Sequence, residues 1–237
     1  MLVAAAVCPC PPLLVPEVAA GAAPELDAAR AACTDALGVL AAARPDRLVV
    51  VGPVDGAGPE THPEGTAGSF RGFGVDLDVR LGAAEGADTE QRLPYALAVA
   101  AWLLERTGWS DAPVEGLAVG TSYPPELCAR TGRDIAARDE RVALLVMGDA
   151  SACRTLKAPG YLDERAAPFD AEAARALGAA DVAALTTLDA GLAHELKVSG
   201  RAPWQVLAGA AHGADLGGSL LYEDAPYGVG YVVAAWS

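Results

Sequence analysis

Apolar residues along this chain fall into short runs separated by longer stretches with three- and four-residue periodicity. The short runs, at residues 2–7, 48–52, 74–79, 116–120, 143–147, 220–222 and 230–234, read as strands. Helical periodicity fills much of the rest. Pro24-Glu25 opens a helix in which Leu26, Ala29, Cys33, Leu37 and Leu40 recur on one face, so Cys33 is placed in the core. A second helix runs from about Glu90 to Arg106, with Leu93, Leu97, Ala101 and Leu104 on one stripe. A third segment, 169–197, is divided at Gly178-Ala-Ala-Asp181 and carries Leu185, Leu188, Leu192 and Leu196 in its later part. Strand followed by helix, repeated, predicts an α/β fold: a mostly parallel central sheet with helices on both faces. No repeat or linker interrupts the pattern, so residues 1–237 are expected to form a single domain.

Two stretches break the rhythm. Residues 53–72 are rich in glycine and proline, and residues 148–168 form a second long connection; each follows a strand. Open α/β sheets collect ligands outside the carboxyl ends of their strands. These two loops and the segment after residues 2–7 therefore make up the candidate functional edge.

Composition narrows the possible roles. Of 237 residues, 52% are hydrophobic and 20% charged, values of a globular chain, though alanine inflates the first figure. The net charge of −14 repels a phosphate backbone, and no basic patch with interleaved aromatics offsets it, so nucleic acid is not expected as a partner. The apolar start, Met1 to Val7, lacks a basic flank and runs into Pro9, which fits neither a signal peptide nor a membrane span of about 20 residues. A cytoplasmic protein without membrane contact is the expectation. Five cysteines, an odd number, are then expected as free thiols. Trp204 and Trp236 read as core residues. A homo-oligomer is compatible with such a fold, and nothing in the sequence fixes its number.

Candidate chemistry comes from three segments in order. The first strand leads into Cys8-Pro-Cys10-Pro-Pro, the second into Gly52-Pro53-Val54-Asp55, and the fifth into Met147-Gly148-Asp149-Ala150-Ser151-Ala152-Cys153-Arg154. Ala158-Pro-Gly-Tyr161, Pro168-Phe169-Asp170, Gly200-Arg201 and Gly228-Val-Gly-Tyr231 follow. Together these resemble the class III extradiol (LigB-like) dioxygenases and the Memo-like proteins. Enzymes of that kind hold Fe(II) with two histidines and a carboxylate, and use a further histidine for proton transfer. The resemblance puts Cys10 at the first histidine position and Asp55 or Val54 at the second. Ala152 stands at the acid/base histidine position, and Ser199 at the Memo-like cysteine position.

The resemblance thus implies a pocket with its ligand set substituted. Cys10 and Asp55 are the metal-ligand candidates for Fe(II) or another divalent ion, with His62 as a third; a rebuilt triad would draw on His62, His212 and Glu223 or Asp55. Asp149, Ser151, Ser199 and His212 are the pocket candidates. Each also has a plain role: Cys10 as an inert buried thiol, Asp149 as a turn former, His62, His194 and His212 as surface or capping residues. Arg154 and Lys157 supply local positive charge, either for an anionic small molecule or as ordinary surface residues. Three functions remain open: a small-molecule or partner binding module without dioxygenase activity, a metal-dependent oxidoreductase built on Cys10 and Asp55, and a metal-free enzyme using the inherited pocket.

Overall fold

The computed structural model describes residues 1–56, 58–83 and 91–237. Strand β1 (Leu2–Cys8) leads through a short helix α1 (Pro16–Ala19) into α2 (Asp27–Ala42), then β2 (Arg47–Val54). Next come the short strands β3 (Glu60–His62), β4 (Ala67–Ser69) and β5 (Asp78–Arg80), then α3 (Tyr95–Thr107) and β6 (Val114–Gly120). Helix α4 (Pro125–Ala136) returns to β7 (Val142–Met147). Helices α5 (Ala166–Gly178), α6 (Val182–Thr186), α7 (Ala190–Glu195) and α8 (Arg201–Ala210) precede the closing pair β8 (Gly218–Asp224) and β9 (Tyr231–Trp236).

Among the described residues seven strands form one sheet, in the order β3-β6-β2-β7-β1-β9-β8. The inner four, β6, β2, β7 and β1, are mutually parallel, while β3 and β9 run antiparallel to their neighbours. The parallel strands read as unbroken apolar runs because both of their faces are covered. From Ala4 onward alternate residues serve opposite cores: Ala4, Ala6 and Cys8 meet α2 and α3, whereas Ala5 and Val7 face α4 to α8, and an irregularity before Ala4 turns Leu2 to the second core as well. The expected α/β architecture, a mostly parallel sheet between two helical layers, is the one observed.

Several local expectations are corrected. The apolar run at 74–79 reads as one strand, but Gly74 closes a 3-10 turn in the left-handed region (φ 87°), so pairing begins only at Asp78. Residues 53–72 are not one loop, since β3 and β4 lie within them. The helix expected from about Glu90 starts at Tyr95 after Pro94; Glu90 itself lies outside the described residues. In the segment 169–197 the break at Gly178–Asp181 is where expected. Asp181 and Asp189 each cap a short helix, accepting the amides of Ala184 and Leu192.

Helix α4 buries a single stripe, Cys128, Ala129, Gly132 and Ile135. Every residue of α8 is buried. The two helices touch through glycine: a Cβ on Gly132 would lie 2.0 Å from the Val206 carbonyl oxygen, and one on Gly209 2.1 Å from that of Ala129. Trp204 and Trp236 are fully buried, as expected, and all five cysteines are buried free thiols. No helix among the described residues is long and apolar enough to cross a membrane.

Candidate functional site

The connections leaving β1 and β7 diverge. From β1 the chain passes along one face of the sheet to β2, beyond β7; from β7 it passes along the other face to β8 and β9, beyond β1. Adjacent parallel strands whose connections part in this way leave a crevice at their carboxyl ends, where α/β proteins hold ligands. Cys10 follows β1 and Asp149 follows β7, so the topology alone brings them to this crevice.

Hydrogen bonds stitch the crevice together. The Cys10 amide donates to Asp149 Oδ1 at 2.8 Å, and the Asp149 amide donates to Ser199 Oγ at 2.9 Å. Gly148 N–H bonds the Cys8 carbonyl at 3.0 Å, and Gly200 N–H bonds the Asp149 carbonyl at 2.9 Å. The hydroxyls of Ser199 and Tyr95 lie near the Cys10 thiol and act to lower its pKa. Cys10 forms the floor with no exposed surface, Asp149 and Ser199 are partly exposed above it, and Tyr95 stands on the rim, 39% exposed. Three residues singled out from sequence, Cys10, Asp149 and Ser199, thus share one site.

Each acidic group here is held toward its protonated form. Burial raises the Asp149 carboxyl to about 7, against the hydrogen bond from the Cys10 amide. Its side chain keeps some exposed surface, yet enough protein surrounds the carboxyl for loss of hydration to dominate. Burial, then the Asp149 charge, push the Cys10 thiol well above its ordinary value, and the Ser199 and Tyr95 hydroxyls only partly offset this. Cys10 is therefore a thiol, not a thiolate nucleophile. The Tyr95 phenol is raised by Cys10 first, then by burial, Asp149 and Asp55. Tyr231, buried at the start of β9, is raised by its own burial and then by Asp149. A carboxyl that titrates near neutrality within hydrogen-bonding reach of a cleft is suited to take up or deliver a proton.

The other candidates go elsewhere. Asp55 is exposed beyond β2 and acts on Tyr95, so it borders the same opening from a neighbouring strand end; Val54 is the half-buried last residue of β2. His62 does not swing from a loop. It is a buried residue of β3 in register with Gly116, packed among Leu81, Leu97 and Gly116, with neither ring nitrogen hydrogen-bonded. Four strand spacings separate β3 from β1, roughly 19 Å. His212 lies beyond α8 beside Met1 and Leu2, at the amino end of β1 and hence the opposite edge of the sheet. Glu223 is exposed on the outer strand β8. The triad of His62, His212 and a carboxylate is therefore not assembled.

Ser151 is not a pocket residue either. Its amide and hydroxyl both bond the Asp170 carboxylate at 2.8 Å, and Arg154 joins them at 3.1 Å. All of this lies beneath the loop after β7, so the local positive charge of Arg154 is matched by Asp170. Ala152 is buried, its amide bonded to the Leu196 carbonyl at 2.9 Å.

Among the described residues no three His, Cys, Asp or Glu side chains gather as metal ligands. The residues present do not fit an Fe(II) centre: among the described residues the crevice brings together one thiol and one carboxyl and no imidazole. Sequence reading missed Tyr95, and noted Tyr231 only within the Gly228-Val-Gly-Tyr231 segment, not as a site residue. Tyr95 opens α3, and its position after Pro94 at a helix start was the available signal; only the fold turns that start toward Cys10.

No family model and no curated protein matches the chain. Among solved structures, an uncharacterized protein from Escherichia coli is similar, with a TM-score of 0.55 at 16% identity over 99% of both chains. That likeness is one of fold.

Proposed function

We propose that this chain is a divergent relative of the LigB-like dioxygenases and Memo-like proteins that binds a small molecule at a metal-free site. In place of an iron centre the site carries a carboxyl, Asp149, able to exchange a proton with the bound molecule. The observation that carries the reading is the bonded chain Cys10–Asp149–Ser199 at the β1/β7 crevice. What supports the reading is that the three residues come from three of the segments that resemble the family and meet at the carboxyl ends of adjacent parallel strands. Dioxygenase chemistry is not part of the proposal, because two histidines and a carboxylate are not gathered there.

A second reading rests on Asp55. Its charge reaches Tyr95, so a divalent ion at the opening could draw on Asp55 and Cys10, provided the thiol gave up its proton. Metal content and the titration of Asp149 separate the two. Protein prepared anaerobically with Fe(II), Zn(II) or Cu(II) should retain no stoichiometric metal, and the Asp149 carboxyl, followed by carbon NMR against Asp149→Asn, should titrate near 7. Stoichiometric metal that disappears in Cys10→Ser would replace the first reading with the second.

A further inference from the structure

We infer that the cavity between the loop after β7 and the turn joining β8 to β9 binds a small aromatic monocarboxylate. The inference goes beyond the crevice reading above and does not depend on it.

The cavity has a volume of about 510 Å³ and is lined by Thr155, Leu156 and Lys157 of the loop and by Pro226, Tyr227 and Gly228 of the turn. That volume suits a small organic molecule. The two walls are fixed to each other. The Arg154 amide donates to the Gly228 carbonyl at 3.0 Å. Gly228 adopts the left-handed region (φ 76°), and a Cβ there would come within 2.6 Å of both Ala158 Cβ and Thr155 Oγ1. Much of the lining is apolar. Leu156 is 61% exposed, so a bound ring would cover apolar surface that folding leaves bare. The Tyr227 hydroxyl is buried, so its ring is what borders the opening. Glu25 and Arg30 lie near that hydroxyl and act on it in opposite senses.

Charge selects the ligand. Lys157 is exposed in the lining and makes no ion pair among the described residues. The acids of the loop and turn are engaged elsewhere: Asp170 holds Arg154, Asp163 holds Arg165, and Asp224 accepts the Ala225 amide at 2.7 Å. The Thr155 hydroxyl, against Gly228, is the second polar group of the lining. One ammonium and one hydroxyl beside apolar walls match a single carboxylate on a flat ring. A dianion would gain from only one lysine while meeting the field of a chain of net charge −14, and a cation would be repelled by Lys157.

The test titrates the full chain with phenylacetate, using phenylethanol, phenethylammonium and phenyl phosphate as neutral, cationic and dianionic counterparts. Affinity is measured by calorimetry, and the place of binding by amide shifts in NMR. Phenylacetate should bind about fivefold more tightly than phenylethanol, the gain expected of one exposed charge pair. Its shifts should centre on residues 155–157 and 226–228. Lys157→Gln should reduce phenylacetate to the level of the alcohol, and Lys157→Arg should restore it. Leu156→Ser should weaken both. Lys157 and Leu156 are exposed, so these variants leave the folded core untouched.

Absence of phenylacetate binding would overturn the inference, as would equal or tighter binding of any counterpart, or unchanged affinity in Lys157→Gln. Shifts centred on Cys10, Asp149 and Ser199 would overturn it too, while favouring the crevice as the binding site. Titration of Asp149 near 4 would remove the crevice reading and leave this inference in place.

Discussion

Gly148 and Gly200 cross backbone to backbone: a Cβ on Gly148 would come within 2.3 Å of the Gly200 Cα. The crossing leaves no room for any side chain, and it brings Ser199 Oγ to the Asp149 amide one residue away. Gly148→Ala must push the 199–201 segment aside. We expect it to cost about 2–3 kcal/mol in urea denaturation. Gly200→Ala should cost a similar amount, since its Cβ would lie 2.3 Å from the Trp204 ring.

Asp149 makes stability depend on pH in an unusual direction. The folded carboxyl titrates at about 7 and the unfolded one near 3.8. Between these values the unfolded chain has released a proton that the folded chain keeps, so this group's contribution falls as pH rises from about 4 to 7. Asp149→Asn keeps an oxygen for the Cys10 amide and removes the ionisation. Relative to wild type it should gain stability between pH 5 and pH 8, on the order of 2 kcal/mol after allowing for the partial exposure of the site. Denaturation curves of both proteins at the two pH values check this.

His62 acts in the opposite sense. Burial lowers its pKa from 6.5, with Glu60 opposing. Below 6.5 the unfolded chain takes up a proton that the buried ring resists, so stability is lost as pH falls. His62→Leu should remove that acid-side loss. It should also recover roughly 1–3 kcal/mol, because neither ring nitrogen has a hydrogen-bond partner to lose. Thermal melts at pH 5 and pH 7 show both effects.

Asp170 anchors the loop after β7. Its carboxyl is raised by burial, against the bonds from Ser151 and Arg154. Asp170→Ala would strand the Ser151 amide and hydroxyl and leave Arg154 unpaired, at a cost of about 3 kcal/mol. Asp170→Asn retains some of these bonds and should fall between, as read from shifts in Tm.

Much of the fold is legible in the sequence, and the reasons are local. Residues 2–7, 48–52 and 143–147 are apolar on both faces, so their strands announce themselves. Helix α3 has an apolar stripe and a glycine, Gly108, in the left-handed cap position. Helix α8 is hidden for the opposite reason: even its polar residues, Arg201 and Gln205, are buried, so no exposed face marks its period. At the site, strand-end position and resemblance were enough to select Cys10, Asp149 and Ser199. They could not separate Ser151 from Asp149, because the hydrogen bonds that turn Ser151 inward come from Asp170, nineteen residues on. His62 misleads for a similar reason. A glycine- and proline-rich stretch looks like a loop until β6 offers it an edge to pair with.

The place of β1 in the sheet bears on how the chain acquires its shape. Val7 lies between Val146 of β7 on one side and Ala234 of β9 on the other. As the polypeptide leaves the ribosome, this first strand has no neighbour until more than half the chain has followed. Its second flank stays bare until residues near Ala234 emerge. Through most of synthesis an alanine- and valine-rich segment therefore waits unpaired, and contacts so distant along the chain form slowly. The crevice carrying Asp149 is built on that strand, so binding competence should appear only late in folding, after β1 has been enclosed.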